Sequence, residues 1–219
     1  MVDGSVSSSN VSVCVEGLVG VDVSAQFYPG GQSTAGGDVS RIPCTSEYHR
    51  MQVTARCSTS AGTRAALSSA VQWQVGAQGA LTTGQQSVVV SVSTATVDVL
   101  ATISGRNGSM AFTQAASESS FSTAWSLPST LSLQHGGQAT YTPTVTFDNG
   151  VSAALDGSFS WLRAAELVSG YASDTPSAVS ADATLGTLTL LTNAQSPVVL
   201  TLTMCDAATV DRSVWANLL

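Results

Sequence analysis

Apolar and polar residues alternate along this chain in short runs, and turn residues separate the runs. The period is two, as in extended strands that bury one face. Gly157 to Leu162 shows it best. Phe159 and Trp161 are two residues apart with Ser158 and Ser160 between them, which predicts a half-buried strand with its largest apolar side chain at the centre. Upstream, Thr142 to Phe147 alternates likewise and Asp148-Asn149-Gly150 supplies the turn; downstream, Leu185 to Leu190 and Val198 to Met204 read as two further strands.

The first half has the same texture. Strands are predicted over Val11 to Val15, Val21 to Phe27, Tyr48 to Cys57, Ala70 to Val75, Ser87 to Val92, Val97 to Ile103 and Ser109 to Thr113. Pro29-Gly30-Gly31 turns the second of these, and the small polar residues 30–40 read as an exposed loop. Val71, Trp73 and Val75 share one face. Ala165 to Tyr171 has room for a single helical turn before Gly170 and Ser-Asp-Thr-Pro stop it.

A sandwich of two sheets takes roughly 100 residues, so 219 residues suit two. An internal repeat points the same way. Val53-Thr54 followed by Trp73 corresponds to Val145-Thr146 followed by Trp161, Thr96 to Ile103 to Pro197 to Met204, and Gly108 to Phe112 to Arg212 to Ala216. The expected division is a strand and linker at 1–24, a sandwich at 25–114, a linker at 115–124 and a second sandwich at 125–219. Trp73, Trp161 and Phe159 are the expected core anchors.

Charged residues make up 10% of the chain, the net charge is -7, and there is no lysine. A surface so poor in cations does not neutralise phosphates, which argues against nucleic-acid and anionic-membrane partners. No apolar run reaches the ~18 residues of a spanning helix. The start, MVDGSVSSSN, lacks the basic region and apolar run of a secretory signal, and the chain is expected to be a segment of a longer protein.

Four cysteines, Cys14, Cys44, Cys57 and Cys205, allow three pairings. Cys44 and Cys57 bracket a short loop and are the most natural pair, worth roughly 3 kcal/mol in the chain-entropy model. Cys14 and Cys205 pair only if the ends of the chain meet, or else with segments beyond it. No C-x-x-C occurs and the two histidines are not spaced as zinc ligands. Asn10 and Asn107 begin Asn-x-Ser sequons, the acceptor pattern of N-glycosylation.

Constellations for chemistry are thin. His49 opens a strand, His135 sits beside Gly136-Gly137, and no G-x-S-x-G is present. Asp148, Asp156, Asp174 and Asp182 fall in turns, where a carboxylate accepts backbone amides. Asp148, Asn149 and Asp206 are the residues to watch for calcium, which needs clustered oxygens. Trp125 is expected to pack at the module junction, Trp215 to fill the position of Phe112, and Tyr171 to be the remaining candidate platform for a sugar.

The second half resembles the bacterial immunoglobulin-like group 2 repeat over about residues 127–206. Leu131-Ser132-Leu133 with His135-Gly136-Gly137-Gln138 is similar to its first strand and glycine turn, Thr144 to Gly150 to its second strand, and Ser160-Trp161 to its tryptophan strand. Ser173 to Ser180 is similar to its "dpsvatV" stretch, Leu185 to Leu188 to its "G-x-v/l" strand, and Val199 to Thr203 to its closing strand. An insertion before Ser173, and the long Gly-rich, Cys-bearing loop of the first half, depart from the pattern. The resemblance implies an all-β chain of two tandem immunoglobulin-like β-sandwich domains, with a scaffold or adhesive role and no shared catalytic residues.

The expectation is therefore a non-catalytic extracellular structural or adhesion segment of a longer repeat glycoprotein, in a filament or cell coat. Its partners are neighbouring modules, other copies and glycans, and no cofactor is implied. A carbohydrate-binding module and a virion or phage tail decoration protein are the alternatives.

Overall fold

The computed structural model describes residues 17–60, 62–65, 71–76, 80–82, 86–183 and 186–219. The strand expected at Val11 to Val15, with Asn10 and Cys14, lies outside them, as does Leu185. Two compact units are present: one of residues up to Arg41 together with Tyr48–Ser117, the other of Ile42–Glu47 and Glu118–Leu219.

The first unit contains β1 (Leu18–Tyr28), β2 (Ser33–Thr34), β3 (Gly37–Arg41), β4 (Arg50–Thr59), β5 (Gly62–Ala65), β6 (Val71–Val75), β7 (Ala80–Thr82), β8 (Ser87–Ser91), β9 (Thr96–Ile103) and β10 (Arg106–Glu118). One sheet runs β2-β1-β4-β8-β7, with β5 on the far end of β4; the other runs β3-β10-β9-β6. Alternation decides what faces inward. Met51, Val53, Ala55 and Cys57 of β4 are all buried, as are Val97, Val99, Ala101 and Ile103 of β9. Residues of both sheets, including Ala25, Val53, Val88, Val99 and Phe112, form one apolar cluster, so the sheets face each other. Burying these side chains stabilises the unit by about 1.5–3 kcal/mol each before the entropy of ordering them is set against it.

The β9–β10 hairpin turns on Ser104 (φ 48°) and Gly105 (φ 76°). Positive φ at both positions is what a two-residue turn between right-twisted strands requires. Residues 30–40 are not simply a loop, as expected from their composition. They hold β2 and β3, and Val39 of β3 is buried in the core. Small residues permit this, since a Cβ on Gly36 would stand 2.9 Å from the Ala111 carbonyl oxygen.

The second unit contains β11 (Phe121–Ala124), β12 (Thr130–Leu133), β13 (Gln138–Thr140), β14 (Thr144–Phe147), β15 (Ser152–Ala154), a 3-10 turn (Ser160–Leu162), α1 (Ala164–Leu167), β16 (Val168–Ser173), β17 (Val179–Ala181), β18 (Thr187–Leu190), β19 (Val198–Met204) and β20 (Thr209–Leu218). Its sheets run β12-β20-β19-β16, β13-β18-β17 and β11-β14-β15. The β12–β20 pair is parallel, Thr130 opposite Trp215 through Leu133 opposite Leu218. The expected linker at 115–124 is mostly strand, because β10 runs on to Glu118 and β11 starts at Phe121.

Both units follow one plan. The first unit's β1-β4-β8-β7 and β6-β9-β10 reproduce the ABED and CFG sheets of the immunoglobulin fold, and β13-β18-β17 with β16-β19-β20 give the BED and CFG sheets of the second. The chain is all-β, with two immunoglobulin-like β-sandwich units.

Gly157 to Leu162 is not a strand. Gly157 takes φ 82°, Asp156 Oδ1 accepts the Ser158 amide at 2.8 Å, and the chain then coils through the 3-10 turn and α1. Among the described residues no strand pairs with it, and two aromatics two residues apart do not make a strand without a ladder.

Candidate functional site

The strand register relocates the expected anchors. Trp73 lies opposite Ala101 in the β6–β9 pair, and Tyr171 lies opposite Leu202 in the β16–β19 pair. Since β9 and β19 hold the same place in the two plans, Tyr171 occupies the position that corresponds to Trp73. Trp161, expected there, instead sits in the 3-10 turn between β15 and β16, 7% exposed, with Phe159 half-buried 6.2 Å from its ring.

The side chain at the heart of the second unit's aromatic group is Trp125, which is 0% exposed. Its ring lies 5.5 Å from that of Tyr171, its Nε1 donates to the Tyr141 carbonyl at 2.7 Å, and its own carbonyl accepts from Arg212 Nε at 2.9 Å. Trp125 was expected at a junction between modules, yet these partners belong to its own unit. It is not available as a sugar platform. Trp73 differs: half-buried and packed against both apolar clusters of its unit, it has no hydrogen-bond partner for its buried Nε1 among the described residues.

Trp215 was expected in the core and is 44% exposed. Phe112 lies opposite Val97 and Val214 opposite Val198, so Val214 is the residue equivalent to Phe112. A slip of one residue sends a strand side chain to the other face. Trp215 thus stands on the outer face of β20, across from Thr130 of β12.

Tyr171 lines a groove of about 600 Å³ with Asp156, Thr140, Thr142 and Ser169. Burial raises the Tyr171 phenol above its usual pKa. Hydrogen bonds from Ser158, side chain first and backbone second, hold Asp156 below the usual carboxylate range. A Cβ on Gly186 would meet the Tyr171 ring at 2.7 Å, so only glycine fits beneath it.

Asp148, Asn149, Asp174 and Asp206 cap turns and tie neighbouring segments together. Asp148 Oδ2 accepts the Ser120 amide and hydroxyl, Asn149 Oδ1 accepts the Val151 amide, and Asp206 Oδ1 accepts the Ala208 amide. Asp174 Oδ1 accepts the Val199 amide. Among the described residues no three His, Cys, Asp or Glu side chains gather as a metal would need. His49 is buried with its ring 6.0 Å from Phe27, and His135 Nδ1 lies 2.6 Å from the Leu191 carbonyl.

Cys44 does not pair with Cys57. It bonds Cys205, across a sequence separation of 161 residues, with Cα atoms 6.3 Å apart. The loop Ile42–Glu47 that carries Cys44 belongs to the second unit although it leaves the first between β3 and β4, and Ile42 is fully buried. Cys57 points inward from β4 with no exposed surface, and it too is disulfide-bonded, to a partner outside the described residues. Asn107 is exposed near the start of β10, where its Oδ1 accepts from Thr102 Oγ1 at 2.8 Å.

No family model matches the chain, and no curated protein does. Solved structures similar to it include domains 1–6 of the surface layer protein SbsC, at 12% identity and a TM-score of 0.33, covering 92% of this chain and 28% of that one. The 282-residue C-terminal fragment of intimin, in complex with the intimin-binding domain of its translocated receptor, is 11% identical at a TM-score of 0.28, covering 92% of this chain and 65% of that one. A chimeric titin Z1Z2 is 9% identical at a TM-score of 0.31, covering 90% and 97%. The chain thus spans under a third of the SbsC structure it matches. The strand order of the two units defines the fold.

Proposed function

We propose that the chain is a non-catalytic scaffold and contact segment of an extracellular or cell-surface repeat protein. The observation that carries this reading is the parallel closure of β12 on β20. The Trp215 amide donates to the Ser129 carbonyl and the Leu219 amide to the Leu133 carbonyl, extending the ladder past the start of β12 and the end of β20. In a parallel pair the leading end of one strand and the trailing end of the other point in opposite directions. Once Cys44–Cys205 is reduced, tension along the chain therefore shears these bonds together and does not unzip them one by one. Disulfides at Cys44–Cys205 and at Cys57 support an oxidising compartment, and the resemblance to group 2 repeats supports the same role.

Trp215, standing out among polar side chains on the outer face of β20, is the contact residue of this proposal; Asn107, exposed with Ser109 on the same side of β10, is its glycan acceptor. The test is single-molecule extension of the intact chain with Cys44–Cys205 reduced. Cooperative rupture events, lost when Leu133→Pro removes an amide on the paired side of β12, support the reading, and smooth yielding at low force overturns it. For the acceptor, a mass loss on treatment of the native protein with a peptide N-glycosidase, absent in Asn107→Gln, is the expected result.

A further inference from the structure

The Cys44–Cys205 bond re-routes the covalent chain. With it closed, a path between the two ends runs along the first 44 residues, across the two sulfurs, and along the 15 residues from Cys205 to Leu219. Residues 45–204, which carry β4 through β19, lie off that path. At most 59 of the 219 residues then set the reach of the chain, about 210 Å instead of about 770 Å at ~3.5 Å per extended residue.

Access differs between the disulfides. Cys44 is exposed, held in the left-handed region at φ 59° in the Ile42–Glu47 loop, and Cys205 is half-buried at the end of β19. Cys57 lies on the inner face of β4 among Ala55, Ala101 and Ile103. Thiol–disulfide exchange needs a thiolate to reach a sulfur, so exposed bonds open first. We infer that Cys44–Cys205 is a reducible clamp on the length of the chain, opened by a thiol reductant while the bond at Cys57 stays closed.

The exchange balances simply. The reductant's thiolate attacks one sulfur, the other cysteine leaves as a thiolate, and a second reductant thiol resolves the mixed disulfide. Two electrons pass to the protein, two cysteine thiols form, and the reductant ends as its own disulfide. The chemistry stands independently of the scaffold proposal, and its use under tension rests on it.

The experiment is stepwise reduction of the intact oxidised chain with dithiothreitol, alkylation of the thiols released, and peptide mass spectrometry. Cys44 and Cys205 should be alkylated at concentrations that leave Cys57 unlabelled. Labelling of Cys57 first, or of all three together, overturns the order. In single-molecule extension the oxidised chain should release no more than the clamped length, and opening the first bond should more than double it. Equal extension before and after overturns the clamp. A single proteolytic cut between residues 58 and 204 provides a measurement that needs no variant to fold: the two fragments should run together until reduced, and separation without reductant counts against the clamp. A chain that lengthens as stated but yields without cooperative rupture retains the clamp and loses the scaffold proposal.

Discussion

The two units share a strand order and differ in how they fill it. In the first, β1 lies along the whole of β4, Leu18 opposite Thr59 through Tyr28 opposite Arg50. In the second, β11 pairs with the inserted hairpin β14–β15 and leaves the three-residue β13 beside β18 alone. The first unit carries a half-buried Trp73 on β6, and the second carries Tyr171 at that place with Trp125 behind it. The sandwich plan therefore fixes which positions face inward and leaves open which element supplies the bulk. The second unit, with shorter ladders, relies more on single large contacts and on its staple.

Removing that staple is the strongest way to break the comparison. Cys44→Ser with Cys205→Ser should cost up to about 5 kcal/mol in the chain-entropy model, and the loss should fall on the second unit. Denaturant unfolding followed by tryptophan fluorescence separates the two, because Trp73 reports on the first unit alone. Equal shifts of both transitions would contradict the asymmetry.

Next come the tryptophans. Trp125→Ala should cost about 3–5 kcal/mol, and Trp73→Ala less, since Trp73 is only half-buried. The conservative exchange is sharper. Trp125→Phe strands the Tyr141 carbonyl and should cost about 1–3 kcal/mol, whereas Trp73→Phe removes a buried donor without a partner among the described residues and should be closer to neutral. The reverse order in thermal unfolding would refute the roles assigned to the two indoles.

Glycines sharpen the contrast further. A Cβ on Gly108 would stand 2.4 Å from the Val21 carbonyl oxygen, so Gly108→Ala should destabilise the first unit by about 1–3 kcal/mol, as overpacking does. Gly105→Ala in the neighbouring turn meets nothing within 4 Å and carries only the backbone penalty of φ 76°. The smallest expected effect is that of pH on the insertion of the second unit. The Asp156 carboxyl is held below its usual range, so the stability it lends its turn is fully present above that range and is lost as pH falls through the lowered value. An amide shift of Ser158 that titrates there in NMR, and is absent in Asp156→Asn, is the readout.

Much of the fold was legible because period-two alternation is a direct trace of a half-buried strand. The inward sets of β4, β9 and β19 could be read residue by residue. The inserted segment misled for a physical reason: Phe159 and Trp161 alternate as strand residues do, and nothing local records that no partner strand lies beside them. The repeat led to Trp161 as the partner of Trp73 because large aromatics draw an alignment, while the hydrogen-bond register places Tyr171 there. For Trp215 the same comparison slipped by one residue, enough to invert its face. The cysteine pairing was out of reach, since proximity along the chain favoured Cys57 and only the fold brings Cys205 to Cys44.

The ladder on β4 has a further consequence for exchange with solvent. This ten-residue strand is bordered by β1 along its whole length, and on its other side by β8 at one end and β5 at the other. Its amides open only when the surrounding sheet does. In heavy water they should be the last of the first unit to take up deuterium, a slow-exchanging bar across which every looser part of that sandwich can be timed.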